Sequence, residues 1–289
     1  MYDPIMRVAR RVLVPLLVTV LLFWAGAVGF LWANEPKFVY RTNWTRGWAV
    51  AGDDRFYPPF RPFTIGSSDD LQLDAVTLEH HPFYGERYWI LYFNGAAGSI
   101  HRSRYRNHLE QLHAAGYNVL SFDYRGFGRN RGTPSEQGIY DDAMAAYRYL
   151  TGERGVAPSR VILSGRSLGS AVAVEVATRV DAAGVVLLSP IDSVPRVGAR
   201  LYWWAPVRLL ARNRFDSLSK IARVTEPVVV VHARNDRFVP IDAGRSLYAA
   251  ATAPKFMLET GGGHNSAGFS PVSELAAALA RFWPAPSGD

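Results

Sequence analysis

The stretch RVILSGRSLGSAVAVEVA, from Arg160 to Ala177, constrains what this chain can fold into more than any other. Its opening residues, Val161 to Leu163, are apolar and rich in β-branched side chains, the composition of a parallel strand buried on both faces. The part from Leu168 to Val180 is rich in alanine and other small residues, which suits a helix packed closely on a sheet. Between them lies Gly165-Arg166-Ser167-Leu168-Gly169, a serine at a strand–turn–helix junction. So sharp a turn strains the backbone of its central residue. A side chain two positions to either side would collide with the neighbouring strand or helix, which is the steric reason for both glycines.

The rest of the chain supplies the setting that such a unit needs. Strand-like segments at Tyr88–Phe93, Tyr117–Phe122, Gly184–Leu188, Pro227–Val231 and Lys255–Glu259 alternate with helix-like ones at His101–Ala115, Ser135–Leu150, Ile241–Ala250 and Ser273–Phe282. From Phe63 onward, FTIGSSDDLQLDAVTLEHH reads as a β-hairpin that turns at Gly66–Asp70. Alternation with short connections predicts an α/β fold, with a mainly parallel sheet and helices on both faces. An irregular aromatic stretch between Ser189 and Phe215 interrupts the pattern.

Composition bounds the function classes. With 289 residues, 48% hydrophobic and 20% charged, the chain is ordinary globular protein in its bulk. The net charge of +7 comes from arginines spread along the sequence and not from a basic run, so nucleic acid is not an expected partner. The absence of cysteine excludes disulfides and thiolate chemistry.

The uncharged apolar run from Val12 to Ala33 reaches the length needed to cross a bilayer, about 20 residues. It is longer than the apolar core of a cleaved signal peptide, and its only small-x-small site, Ala25-Gly26-Ala27, falls in mid-run, so an uncleaved anchor is expected. Arginines 7, 10 and 11 before the run are matched by Lys37, Arg41 and Arg46 after it, a tie in the positive-inside count. The short leading tail favours a domain on the extracytoplasmic side. The segments expected are thus a tail over residues 1–11, an anchor over 12–33, a linker and surface wrap over 34–62, and an α/β domain over 63–284.

A serine nucleophile needs a base to take its proton and an acid to orient that base. In hydrolases built on a parallel sheet the chain order is serine, acid, histidine, with the acid beyond a late strand and the base beyond the last. Downstream of Ser167, Val228–Val231 runs into HARNDRFVP, which places Asp236 just past a strand end. Lys255–Glu259 runs into TGGGHNSAG, which places His264 in a glycine-rich loop before the final helix. Asp242 is accounted for by helix capping, five other histidines precede the serine, and His232 lies too near its strand to move. The developing oxyanion also needs backbone donors. Leu168, directly after the nucleophile, and Ala96, in the turn FNGAAGSI, are the candidates. That turn lacks the spacing of a phosphate-binding loop, and no metal or other cofactor is expected.

The segments LYFNGAAGSI, FDYRGFGRNRGTPSEQGIYDDA, GRSLGSAVAVE, RFDSLSKI, VHARNDRFVP and PKFMLETGGGHN together resemble the membrane-anchored α/β-hydrolases of the BEM46 type, which are similar to serine aminopeptidase-like and abhydrolase-domain proteins. The resemblance runs from about Phe63 to Trp283. It implies an α/β-hydrolase fold with a lid at about residues 190–215. It also implies a triad of Ser167, Asp236 and His264 with oxyanion donors at Ala96 and Leu168. Asn94-Gly95-Ala96 stands where the family usually has His-Gly-Asn, which changes the side chains that shape this turn. Asp123 and Arg125, after a buried strand, are expected to pair with each other or with loop backbone. The activity implied is hydrolysis of an ester or thioester in a small-molecule acyl substrate, and the aromatic stretch with Tyr202, Trp203 and Trp204 beside an anchored domain favours a lipid-like acyl group. A serine aminopeptidase and a non-catalytic membrane-linked binding protein are the alternatives.

Overall fold

The structure is a computed structural model and describes residues 4–45, 60–80, 87–266 and 272–285. Its frame is one sheet of β1 (Phe60–Gly66), β2 (Gln72–Leu78), β3 (Trp89–Phe93), β4 (Asn118–Phe122), β5 (Val161–Arg166), β6 (Gly184–Leu188), β7 (Val228–Ala233) and β8 (Lys255–Thr260). The strands lie in the order β1-β2-β4-β3-β5-β6-β7-β8. The β1–β2 and β2–β4 pairs are antiparallel, and every pair from β4 to β8 is parallel. Strands β3, β5, β6 and β7 are buried along their whole length, which explains their unbroken apolar runs.

The helices that cover the sheet are α3 (Ser103–Ala114), α4 (Glu136–Arg148), α5 (Leu168–Ala177), α8 (Ile241–Ala250) and α9 (Val272–Ala280). The period-two alternation of the strands feeds two separate cores. Val161, Leu163, Val185, Leu187, Val228 and Val230 pack with α4, α5 and α8 on one face. Ile162, Val186, Leu188, Val229 and Val231 pack with α3 and α9 on the other. Each such side chain taken out of water contributes about 1.5–3 kcal/mol, so the two cores hold the sheet rigid beneath whatever its strand ends carry.

Two expectations are corrected. The first strand begins at Phe60, three residues before the expected start. Pro62 pairs with Val76 there, and a residue without an N–H is tolerated because β1 is an edge strand. The segment 34–62 is more than a linker and wrap. Helix α2 (Glu35–Tyr40) follows α1 (Pro4–Ala33) almost directly, and Tyr40 is buried edge-on against Phe127 and Phe215, with its hydroxyl bonded to Asn213. Residues 46–59 of that segment lie outside the described residues.

Asp123 and Arg125 do not pair with each other. Asp123 accepts hydrogen bonds from the Ser99 hydroxyl (2.6 Å) and the Ile100 N–H (2.9 Å), and burial pushes its carboxyl up to about 6. Arg125 reaches the fully buried Asp142 of α4 through Nη2 (2.8 Å) and Asp69 in the hairpin turn through Nη1 (2.9 Å). This pairing clamps the β1–β2 hairpin to α4. The insertion over 190–215 contains two short helices, α6 (Val194–Leu201) and α7 (Val207–Leu210), above the carboxyl ends of the strands.

Candidate active site

Ser167 sits between β5 and α5 with φ 52° and ψ −118°, a left-handed-side conformation that costs about 1–3 kcal/mol in a non-glycine residue. The fold holds it there. Its N–H donates to the Leu188 carbonyl at 2.9 Å, and the buried Ser170 hydroxyl donates to the Ser167 carbonyl at 2.5 Å. The two glycines have separate tasks. A Cβ on Gly165 would lie 2.0 Å from the Gly169 carbonyl oxygen, and one on Gly169 would lie 2.2 Å from the Phe93 oxygen and 2.6 Å from that of Asn94. The first lets the turn close, and the second lets α5 pass against the end of β3. Gly169→Ala forces backbone to move on both sides. We expect it to cost roughly 3 kcal/mol or more in chemical denaturation. A loss below about 1 kcal/mol would show that the junction is not so tightly packed.

Asp236 lies in the turn after β7. Its Oδ1 accepts from the Phe238 and Val239 N–H groups at 2.9 and 2.8 Å, which fixes the carboxylate plane. Its Oδ2 lies 2.7 Å from His264 Nδ1, and His264 Nε2 lies 3.2 Å from Ser167 Oγ. With the Nδ1 proton donated to Asp236, the Nε2 lone pair faces the serine hydroxyl. The structure therefore brings Ser167, His264 and Asp236 into one relay across three strand ends. Asp242 stays outside it, in the first turn of α8.

Electrostatics match this arrangement. Burial works to raise the Asp236 carboxyl, but hydrogen bonds from His232, His264 and the Val239 amide hold it well below the usual range. Burial also depresses the His264 imidazole. The Asp236 carboxylate offsets this only in part, and Arg166 and His232 add to the depression. At neutral pH the His264 imidazole is thus uncharged, and its Nε2 can accept a proton.

Several contributors escaped the sequence reading. His232, set aside as immobile, touches the relay: its Nε2 lies 2.8 Å from the Val239 carbonyl and 3.4 Å from Asp236 Oδ2, so it braces the acid from behind. Arg166, directly before the serine, donates through Nη2 to the His264 carbonyl (2.8 Å) and to Asn265 Oδ1 (2.7 Å). It ties the histidine loop to the serine turn. A charged residue at the end of a buried strand, directly before Ser167, was the available signal for it. The Asn94 amide donates to the Phe122 carbonyl at 3.1 Å, and Tyr124 donates to the Asn94 carbonyl at 3.1 Å. This is how the turn bearing Ala96 is shaped without the family's usual histidine.

Ala96 and Leu168 border the same cleft as Ser167 and His264, a space of about 380 Å³. Its far wall is apolar, with Phe38, Val194, Val197, Leu201 and Tyr202. The charged side chains lining it among the described residues are Arg41, Arg102 and Arg166. Among the described residues, no group of three or more histidines and carboxylates could hold a metal ion. The arrangement is suited to attack by a serine alkoxide on an acyl carbon, with an apolar trough for the acyl portion.

A family model described as serine aminopeptidase, S33, matches residues 87–219. The chain is similar to an uncharacterized protein of Mycobacterium tuberculosis, 35% identical over 269 residues that cover 93% of this chain and 94% of that one. It is also similar to alpha/beta hydrolase domain-containing protein 17C of Xenopus tropicalis, 32% identical over 184 residues, which are 63% of this chain and 57% of that one. Among solved structures, the Pyrococcus furiosus esterase Pf2001 superposes with a TM-score of 0.65 at 20% identity, over 79% of this chain and 94% of that one. An alpha-beta hydrolase from Vibrio vulnificus gives a TM-score of 0.66 at 18% identity, over 84% and 94%. At these identities the structural likeness speaks to the fold.

Proposed function

The chain belongs to the α/β-hydrolase superfamily, and from that premise we propose that it is a serine hydrolase acting on an ester or thioester with a lipid-like acyl group. The observation that carries the reading is the Asp236–His264–Ser167 relay, at 2.7 and 3.2 Å. Ser167 Oγ attacks the carbonyl carbon while its proton passes to His264 Nε2, and Asp236 stabilises the imidazolium. The carbonyl π electrons move onto oxygen, where the N–H groups of Ala96 and Leu168 receive the charge. On collapse, the bond to the alcohol or thiol breaks and the leaving group takes the proton from His264. Water, deprotonated by the same nitrogen, then attacks the acyl carbon, and the bond to Ser167 Oγ breaks as that oxygen takes the proton back from His264, releasing the acid. No metal or cofactor takes part in this scheme.

The family model's description favours a second reading, a serine aminopeptidase. Such an enzyme must hold its substrate's terminal ammonium, and the described cleft lining carries arginines without a carboxylate. That charge pattern supports the acyl ester reading over the peptide one.

The test compares kcat/KM for nitrophenyl esters of graded chain length with that for aminoacyl amides, using detergent-solubilised full-length protein. We expect esters to be preferred, more strongly as the chain lengthens, and equal or better turnover of the amides would reverse the assignment. The depressed His264 pKa adds a sign. Since the base works unprotonated, kcat/KM should rise with pH through an ionisation below the ordinary histidine value of about 6.5 and be level at neutral pH. An ionisation above that value would mean that His264 is not the base.

Helix α1 contains one span, Arg11–Ala33, with mean hydropathy 2.4 and no fully buried residue. At 1.5 Å per residue it is long enough for the roughly 30 Å hydrocarbon layer. We take it as a membrane anchor with the catalytic domain on the extracytoplasmic side. Protease accessibility on intact cells tests the side.

A further inference from the structure

Helix α1 does more than end near the catalytic domain: the lid descends along it. At its carboxyl end, Arg212 stacks over the Trp32 ring at 4.9 Å, donates to the Trp32 carbonyl at 2.9 Å and pairs with Glu35 at 3.0 Å. A cluster of charge and tryptophan of this kind suits the headgroup level of a bilayer. If Arg11 marks one boundary of the hydrocarbon, the rise along the helix puts the other close to Trp32. Yet the Trp24 indole N–H donates to the Trp204 carbonyl at 2.9 Å. Trp24 lies about 12 Å along the axis from Trp32, towards the membrane centre.

The lid residues at this depth have the composition that depth requires. Residues 201–207 read LYWWAPV, with no charge. Trp203 is 83% exposed and Leu209 is 85% exposed, and Leu201 and Trp204 are exposed beside them. Arg200 and Arg208 bracket the stretch, and their long stems let the guanidinium groups reach back towards lipid phosphates. A face like this is unfavourable in water and ordinary in a leaflet.

Behind that face is a route inward. A second, smaller space of about 90 Å³ lies between α1 and the lid, walled by Val28, Leu31, Trp32, Val207 and Leu210. Phe38, Val39, Val194, Gly198 and Tyr202 line both this space and the Ser167 cleft. Apolar wall therefore continues from the flank of the anchor helix to the serine.

We propose that the lid face formed by Leu201, Trp203, Trp204 and Leu209 is inserted in the leaflet that α1 crosses, and that a membrane lipid ester passes its acyl chain between α1 and the lid to Ser167. The proposal rests on the anchored serine hydrolase reading and deepens it, since it makes the substrate a lipid drawn sideways from the bilayer. It also gives α1 a second task, as one wall of the passage.

The test uses the full chain in vesicles of phosphatidylcholine and phosphatidylglycerol with brominated acyl chains. The Trp203 emission is isolated as the difference between wild type and Trp203→Phe. Bromine on the upper acyl carbons should quench that difference at least twofold. In the same vesicles, the double variant W203S/L209S should hydrolyse a fluorogenic long-chain lipid ester about tenfold more slowly, the loss of about 1.4 kcal/mol of interfacial contact. Its turnover of a short soluble ester should be unchanged. Unquenched Trp203, or equal slowing of both substrates, overturns the proposal. Two controls separate it from its premises. Resistance to carbonate extraction reports on the anchor, and fluorophosphonate labelling reports on Ser167. A protein that is retained and labelled, but whose Trp203 is unquenched, overturns the lid insertion alone.

Discussion

Ser167→Ala is expected to abolish fluorophosphonate labelling and to reduce ester turnover by roughly 10⁴- to 10⁶-fold, the scale on which hydrolases of this type depend on their nucleophile. The reason is geometric. Ser167 Oγ lies 3.2 Å from His264 Nε2, and the fold spends backbone strain at φ 52° to hold it there. No other hydroxyl is placed against that nitrogen among the described residues. His264→Ala should lose labelling to a similar extent, because an unassisted hydroxyl is a weak nucleophile at neutral pH. Combining the two should add little, since each already stops the same step. Neither change removes a core contact, so thermal unfolding should move by only a few degrees. Labelling of the Ser167→Ala protein, or retention of a tenth of its turnover, would mean that another residue attacks. The folded wild type failing to label would shift weight to the membrane-linked binding reading.

The largest effect on stability is expected away from the relay, at Arg125→Ala. Asp142 is completely buried with its carboxyl paired to the Arg125 guanidinium at 2.8 Å, and it accepts further hydrogen bonds from the Arg125 N–H at 2.8 Å and the Ser67 hydroxyl at 2.7 Å. Removing the arginine side chain strands that carboxylate and releases the hairpin turn at Asp69. Breaking a buried pair from one side costs about 3–5 kcal/mol. For a domain of this size that is a drop in Tm of roughly 10 °C. Replacing both partners by apolar residues, as in R125M/D142L, should restore much of the loss, because the expensive element is the unpaired charge and not the absent bridge. Differential scanning calorimetry of the three proteins decides it. A change under about 2 °C for Arg125→Ala would show that water reaches Asp142 and the clamp is weak.

Both effects draw on features that were visible to different degrees before folding. The strand at Val161, the glycines flanking Ser167 and the order of serine, acid and histidine are local or ordinal properties. The first two follow from periodicity and turn sterics, and the order is the one that the α/β-hydrolase resemblance implies, with acid and base each beyond the carboxyl end of a strand. The partnership of Arg125 with Asp142 was not visible, because the two are 17 positions apart and nothing local tells a buried arginine which carboxylate it will meet. The same applies to His232. Its place next to a strand end argued against a role, but the turn that carries Asp236 folds back over it.

The one-dimensional pattern therefore settled the architecture, the strand–turn–helix setting of Ser167 and the apolar span, since each depends on neighbours in the chain or on a repeated period. Tertiary structure decided the rest. It brought His264 and Asp236 within hydrogen-bond reach of Ser167 across three strand ends, and it turned Arg166 into the tie that holds the histidine loop. It also laid the lid against α1 with Trp24 bonded to Trp204, 180 residues away. Those relations depend on side-chain directions at the ends of separate strands and helices. Only the packed sheet fixes them, because long-range contacts are set by the sum of all the elements and not by any one of them.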